Sequence, residues 1–168
     1  MAVGVETYAN SRRLEKSLRL QNADLLTQYN LYEADLSRPK VKEADFCGKA
    51  KHQEYRERAQ QPAMLCTLVM TDNIDSEGVA RYPVGRLPVM DPATGETLVD
   101  ALGRRSYTSS IAFGPSVGKN IALAYLPADY CEVGRALTIS YFDEIYPVEV
   151  VGIGYKPIYD PENLKPRS

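Results

Sequence analysis

Residues 114–119, Gly-Pro-Ser-Val-Gly-Lys, are the first candidates for chemistry, because a glycine-rich turn ending in lysine can cradle phosphate. A phosphate loop needs four residues between its glycines and a Ser or Thr after the Lys to bind magnesium. Here three residues separate Gly114 from Gly118, and Asn120 follows Lys119. Such a loop also needs a helix after it to complete the anion site, whereas "NIALAYL" patterns as a buried strand. A β-turn between strands is the better reading, with glycine where the backbone needs positive φ. His52 is the sole histidine, set among Lys51, Gln53 and Glu54 on a polar stretch that predicts solvent exposure. No Gly-x-Ser-x-Gly elbow exists to pair with it in a hydrolytic triad. Cys47, Cys66 and Cys131 lack metal-ligand spacing, which argues against zinc. Their odd number and wide separation favour reduced thiols over a disulfide framework, and with them a cytoplasmic protein. Glu15 and Glu33 are carboxylates that could serve a buried polar site. Glu15 is equally consistent with a helix surface, where Arg19 offers it an i,i+4 partner.

These residues sit in a chain of 168, enough for one domain or slightly more. It is 44% hydrophobic, sufficient for a core, and 25% charged. A net charge of −2 supplies no electrostatic basis for binding nucleic acid or an anionic membrane. No apolar window is long enough to span a bilayer as a helix, and the first 20 residues lack a signal-peptide pattern. Tyr125, Tyr141, Phe142 and Tyr146 fall in strand-like segments, where β-propensity and core packing account for them.

The elements that must position the candidates fall into two regions, 1–61 and 62–168. The first is charge-rich and helical in pattern. Asn10 or Ser11 is placed to cap a helix through "RRLEKSLRLQNADLL", with Leu14, Leu18 and Leu25 near one face. Pro39 disfavours helix just before it. A second, surface helix is predicted over Lys49–Gln60, polar nearly all round. Beyond Pro62 the period changes to that of strands: "MLCTLVM", a hairpin around Asp91–Gly95, then "SYTSSIAF", "NIALAYLP", "ALTISYF" and "IYPVEVVGIG". The "FDEI" connection between the last two is tight yet lacks the glycine that a primed turn prefers. The fold class is α+β, a short helical N-terminal segment followed by a small antiparallel β-barrel or sandwich.

"SYTSSIAFGPSVGKNIALAYLP" resembles the C-terminal barrel of the aminomethyltransferase family, which includes the glycine-cleavage T-protein and the folate-binding tails of dimethylglycine and sarcosine dehydrogenases. Thr108, Ser109, Gly114-Pro115-Ser116, Gly118, Lys119, Ile121, Ala122 and Ala124-Tyr125 carry the likeness. Ser110 stands for a glycine of the family pattern. "EVGRALTISYFDEIYPVEVV" and "YDPENLKPR" extend it towards the C-terminus. "NSRRLEKSLR", "YEADL" (32–36) and "KEADFCGKA" (42–50) extend it through the N-terminal region in the family's order.

The resemblance implies tetrahydrofolate-dependent transfer of a one-carbon unit from an amine or methyl donor. It maps the pterin-contacting glutamate onto Glu15, and a carboxylate suits that role because it accepts two parallel hydrogen bonds. It makes Lys42 the candidate basic folate contact and Tyr159 the candidate C-terminal residue reaching back to the ligand. Family members carry a long N-terminal portion ahead of the Arg-Leu-Glu segment, and here Met1 stands just before it. The resemblance therefore implies an incomplete site, finished by a larger partner subunit that holds the N-terminal folate and catalytic portion. On that reading Leu14, Leu18, Leu25, Leu31 and Leu36 form an exposed apolar face. The alternative is a non-catalytic structural or interaction subunit built on the same barrel, with a polar surface there. Neither reading involves nucleic acid or a membrane.

Overall fold

A computed structural model describes residues 7–37 and 41–165. Six antiparallel strands form one curled sheet: β1 (Ala63–Met70), β2 (Val89–Met90), β3 (Thr108–Gly114), β4 (Lys119–Pro127), β5 (Ala136–Tyr141) and β6 (Glu144–Ile153), in the spatial order β2-β5-β6-β1-β4-β3. The two edges of the sheet meet: Val89 N–H donates to the Ser106 carbonyl at 3.1 Å, and Thr108 N–H to the Leu87 carbonyl at 2.8 Å. The curl thereby becomes a barrel, and the edge strands find partners instead of facing solvent.

Two different burial patterns explain two different sequence patterns. Cys66, Leu68 and Met70 of β1 and Ala122, Ala124 and Leu126 of β4 point into the barrel, against Leu137, Ile139, Tyr146, Val148 and Val150. The alternate residues Ala63, Leu65, Val69, Ile121, Leu123 and Tyr125 point outward, yet they are also buried, against Leu14 and Ala34 of the N-terminal segment. Strands covered on both faces need unbroken apolar runs, and "MLCTLVM" and "NIALAYLP" are such runs. β6 is covered mainly on one face, so its burial alternates: Tyr146, Val148 and Val150 are buried, with Ile145 57% exposed and Pro147 exposed on the other face.

The N-terminal segment is where the sequence expectation and the structure part. A single π-helical turn (Thr7–Arg12) leads into three α-helical residues, α1 (Arg13–Glu15), and the helix ends there instead of continuing to Leu25. Ser17 and Asn22 adopt positive φ, 55° and 65°, which no helix accommodates. Side-chain hydrogen bonding explains the break: Asp24 turns back to accept the Leu20 N–H at 2.8 Å, an alternative to the helical ladder. The second helix, α2 (Lys49–Glu57), buries none of its residues, in keeping with its polar sequence.

The β5–β6 hairpin closes on Phe142 and Asp143, both at positive φ (50° and 61°), between the paired residues Tyr141 and Glu144. Primed two-residue turns require this conformation, and Asn-Gly adopts it with least strain. The left-handed conformation costs about 1–2 kcal/mol for an ordinary L-residue. Replacing Phe142 with Asn and Asp143 with Gly is therefore expected to raise stability by about 1–2 kcal/mol, read as a higher urea midpoint at unchanged slope. An unchanged midpoint would show that the turn carries no such strain.

Candidate functional site

Glu15 is fixed from three directions. It is 2% exposed, at the end of α1 where Leu14 plugs the outer cluster of the barrel. Its main-chain carbonyl accepts the N–H groups of Ile158 and Tyr159, each at 3.1 Å, which fastens the C-terminal tail beside it. Its Oε1 accepts the N–H of Ser116 at 2.6 Å. The Gly-Pro-Ser-Val-Gly-Lys turn is thus the β3–β4 hairpin connection, not a phosphate loop: Gly114 pairs with Lys119, and Gly118 adopts φ 72°. Its part in the site is to hand a backbone donor to a carboxylate 101 residues away.

Gly114 explains why the carboxylate fits. A Cβ there would lie 2.3 Å from Ile121 Cδ1 and 3.2 Å from Glu15 Cγ. Gly114→Ala is expected to cost about 1–3 kcal/mol by overpacking and to push Glu15 off the hairpin. Thermal denaturation would register the loss, and a wild-type midpoint would contradict the close packing.

A cleft of about 530 Å³ opens over Glu15, lined by Ala9, Arg12, Arg13, Lys16, Leu18, Arg19, Leu20 and Tyr159. Four cationic side chains line the cleft, and two of them are paired: Arg13 with Asp24 and Lys16 with Asp160. Lys16 is anchored by the Asp160 carbonyl at 2.7 Å and by Asn163 Oδ1 at 2.9 Å, with its Nζ 5.8 Å from the centre of the Tyr159 ring. Arg13 turns away from the opening to a buried network. It donates to Asp24 Oδ2 at 2.7 Å and to Ser110 Oγ at 2.6 Å, while Ser109 Oγ donates to Asp24 Oδ1 at 2.5 Å. Asp24 is fully buried, and both its oxygens are satisfied, as a buried charge requires.

A parallel network holds the wall behind. Arg104 bridges Glu33 and Asp100 and covers the Tyr29 ring at 4.4 Å, and Tyr29 stacks on Tyr125 at 3.6 Å with the planes 4° apart. Burial pushes the Tyr29 phenol up to about 12 and raises Tyr125 as well, and the Tyr125 hydroxyl donates to the Asp24 carbonyl at 3.0 Å.

Arg19 differs from the other cations. Its Nε and Nη2 are buried without a hydrogen-bond partner, and burial lowers its pKa against the opposing pull of Asp35. It stands between the Glu15 cleft and a second one of about 500 Å³ bounded by Leu18, Leu25, Asp35, Leu36, Ser37 and Tyr155.

Of the residues the sequence proposes for folate, Glu15 and Tyr159 line one cleft. Lys42 does not line it; it is exposed on the loop before α2, its Nζ 5.1 Å from the Phe46 ring centre. Glu33 is buried, and its carboxylate serves Arg104 and the Asn30 N–H. His52 is half-buried, its Nε2 3.1 Å from the Tyr32 hydroxyl, so it is less exposed than its polar neighbours predict. Sequence reasoning missed Arg13, Asp24 and the role of Arg19. No local pattern marks them, because Arg13 meets Ser110 across 97 residues.

Residues 85–160 match the family described as the glycine cleavage T-protein C-terminal barrel domain. Over 149 residues the chain is 27% identical to mitochondrial dimethylglycine dehydrogenase of Rattus norvegicus, covering 86% of this chain and 15% of that one. It is 26% identical to an aminomethyltransferase of Koribacter versatilis (strain Ellin345) over 144 residues, 84% of this chain and 33% of the relative. The chain thus spans a minor part of the length of these relatives. The crystal structure of glycine cleavage system aminomethyltransferase T from Bartonella henselae superposes with a TM-score of 0.70 at 18% identity, over 90% of this chain and 38% of that one, a likeness of fold. The resemblance read from the sequence holds: residues 85–160 match the glycine cleavage T-protein C-terminal barrel domain, and the fold is like that of an aminomethyltransferase T.

Proposed function

We propose that this chain is the barrel-bearing component of a tetrahydrofolate-dependent one-carbon transferase or demethylase, whose folate site is completed by a further polypeptide. The observation that carries this reading is the buried Glu15 carboxylate at the wall of a cleft of ligand size, held in place by the Ser116 N–H. The residues present fit the cofactor. Glu15 keeps lone pairs for the amino and ring N–H donors of a pterin, Tyr159 offers an aromatic wall, and Arg12 suits a carboxylate-bearing tail, whereas Lys16 is engaged by Asp160 and Asn163. The cleft also lies within the roughly 300–1,000 Å³ of small-molecule sites. Tetrahydrofolate, when bound, would supply the N5 or N10 atom that takes the one-carbon unit. This chain's residues would bind and orient the cofactor.

Completion by another polypeptide is supported by the surface beside the cleft. Leu18, Leu20, Leu31 and Leu36 are 48%, 43%, 52% and 40% exposed, while Leu14 is fully buried and Leu25 is packed against the outer cluster. Of the five leucines expected on an apolar face, Leu18, Leu31 and Leu36 are exposed and Leu14 and Leu25 are withdrawn; Leu18 and Leu20 line the Glu15 cleft. The unsatisfied donors of Arg19 lie in the same region and lack acceptors that a docked chain could bring.

The alternative, a non-catalytic barrel, is favoured by the structural bonds of Glu15, whose carboxylate accepts the Ser116 N–H and whose carbonyl accepts those of Ile158 and Tyr159. Purification of the tagged chain from its native cells separates the two. A stoichiometric partner whose complex binds tetrahydrofolate supports the transferase. A lone chain that leaves tetrahydrofolate unbound contradicts it and leaves the structural subunit.

A further inference from the structure

Two of the three cysteines, distant in sequence, touch in the fold. Cys66 lies in β1 and Cys131 just beyond the 3-10 turn Ala128–Tyr130, and their sulfur atoms are 3.8 Å apart across 65 residues of chain. Cys66 is fully buried in the barrel interior, beside Ala124 and Leu126. Cys131 is half-buried at the barrel end, with its sulfur 3.3 Å from the Pro127 carbonyl and 3.4 Å from that of Leu126. The third, Cys47, is exposed on the loop before α2. One thiol within reach of solvent and one sheltered thiol in contact with it form an arrangement in which the first is oxidised and the second resolves it.

We propose that Cys66 and Cys131 are an oxidative modification site, converted by a peroxide to a reversible intramolecular disulfide. The Cys131 thiolate attacks the peroxide O–O bond and becomes a sulfenic acid, releasing hydroxide. The Cys66 sulfur then attacks the Cys131 sulfur and water leaves, carrying the Cys66 proton. Overall, two thiols lose two electrons and two protons, and hydrogen peroxide is reduced to two waters.

The assignment of the two roles follows from their surroundings. Cys131 is half-buried and within reach of a small oxidant, whereas Cys66 is fully buried and touches it at 3.8 Å, so Cys131 attacks and Cys66 resolves. The hydrogen bond that Cys66 donates to Cys131, together with burial, raises the Cys66 pKa. Bond formation requires the sulfur atoms to close from 3.8 Å to about 2.05 Å, a distance within the reach of side-chain rotation at two small residues.

The bond would join β1 to the turn that follows β4, its neighbour in the sheet. Cys66 packs into the barrel interior, whereas Leu14, next to Glu15, packs on the outer face of the same strands. The disulfide therefore leaves the Glu15 cleft as it is, and the inference stands or falls independently of any folate chemistry.

The test is hydrogen peroxide titration of the whole chain, followed by alkylation of the remaining thiols and peptide mapping by mass spectrometry. The expected result is a peptide linking Cys66 to Cys131, reversed by dithiothreitol, with Cys47 still alkylated at low peroxide. Cys131→Ser abolishes the link, and Cys47→Ala keeps it. The oxidised protein is expected to melt about 5 °C higher than the reduced one, because the cross-link constrains the unfolded chain. Oxidation of Cys131 to sulfinic acid with Cys66 still free would overturn the proposal, and so would dimers linked through Cys47 without the internal bond. Cys66→Ala serves as a second variant: if it folds, it should trap Cys131 as a sulfenic acid that dimedone labels, and absence of the label would count against Cys131 as the attacking thiol.

Discussion

Glu15→Gln is expected to weaken tetrahydrofolate binding by about 100-fold in the completed complex, while the barrel stays folded. The substitution keeps the volume of a side chain whose Cγ packs close to Gly114. It replaces one carboxylate oxygen with an amide that donates, against a pterin edge that also donates. Hydrogen bonds to a charged acceptor contribute about 1.5–3 kcal/mol each, so the loss of one with a clash of donors amounts to about 3 kcal/mol. The Ser116 N–H can keep a neutral acceptor in the amide oxygen. Isothermal titration measures the loss, and circular dichroism checks that the strands persist. Binding of the variant within a few fold of wild type would remove Glu15 from the ligand site.

The largest stability effect is expected at the Arg13–Asp24 pair. Their side chains are 9% and 0% exposed, and between them they tie α1, the Leu20 turn and β3 together through Ser109 and Ser110. Removing one partner leaves the other charge buried and uncompensated, which costs about 3–5 kcal/mol. Asp24→Ala is therefore expected to lower the melting temperature by about 10 °C, since a kilocalorie shifts a domain of this size by about 2–4 °C. Arg13→Met with Asp24→Leu removes both charges and is expected to cost less than either single truncation alone. The Leu20 N–H then loses its acceptor, so full recovery is not expected. Additive losses in the double variant would show that the two side chains act independently.

The barrel was legible in the sequence because its strands carry strong local signals. β1 is apolar but for Thr67 and β4 from Ile121 onward, and their extents agree with the structure to within a residue. Phe142-Asp143 could be read as a tight connection from its length alone, although its left-handed backbone could not, since neither residue advertises positive φ. The N-terminal segment misled for a physical reason. Leu14, Leu18 and Leu25 share helical spacing, but a buried Asp24 reaching Arg13, Ser109 and the Leu20 N–H outweighs the modest propensity of a short helix. Of the site, Glu15 and Tyr159 came from the resemblance, and their meeting rests on a backbone contact that no side-chain pattern encodes. Lys42 was chosen for charge and proximity in sequence, and neither sets where a loop lies. The contact between Cys66 and Cys131 was equally hidden, because β1 and the turn after β4 meet only once the sheet has formed.

The measurement that tests the central claim most directly is calorimetric titration of tetrahydrofolate into the complex purified from native cells, with the Glu15→Gln complex alongside. The account predicts saturable binding at one site per barrel chain and an affinity about 100-fold weaker in the variant. Equal binding by both complexes, or none by either, would contradict the assignment of Glu15 to a folate site.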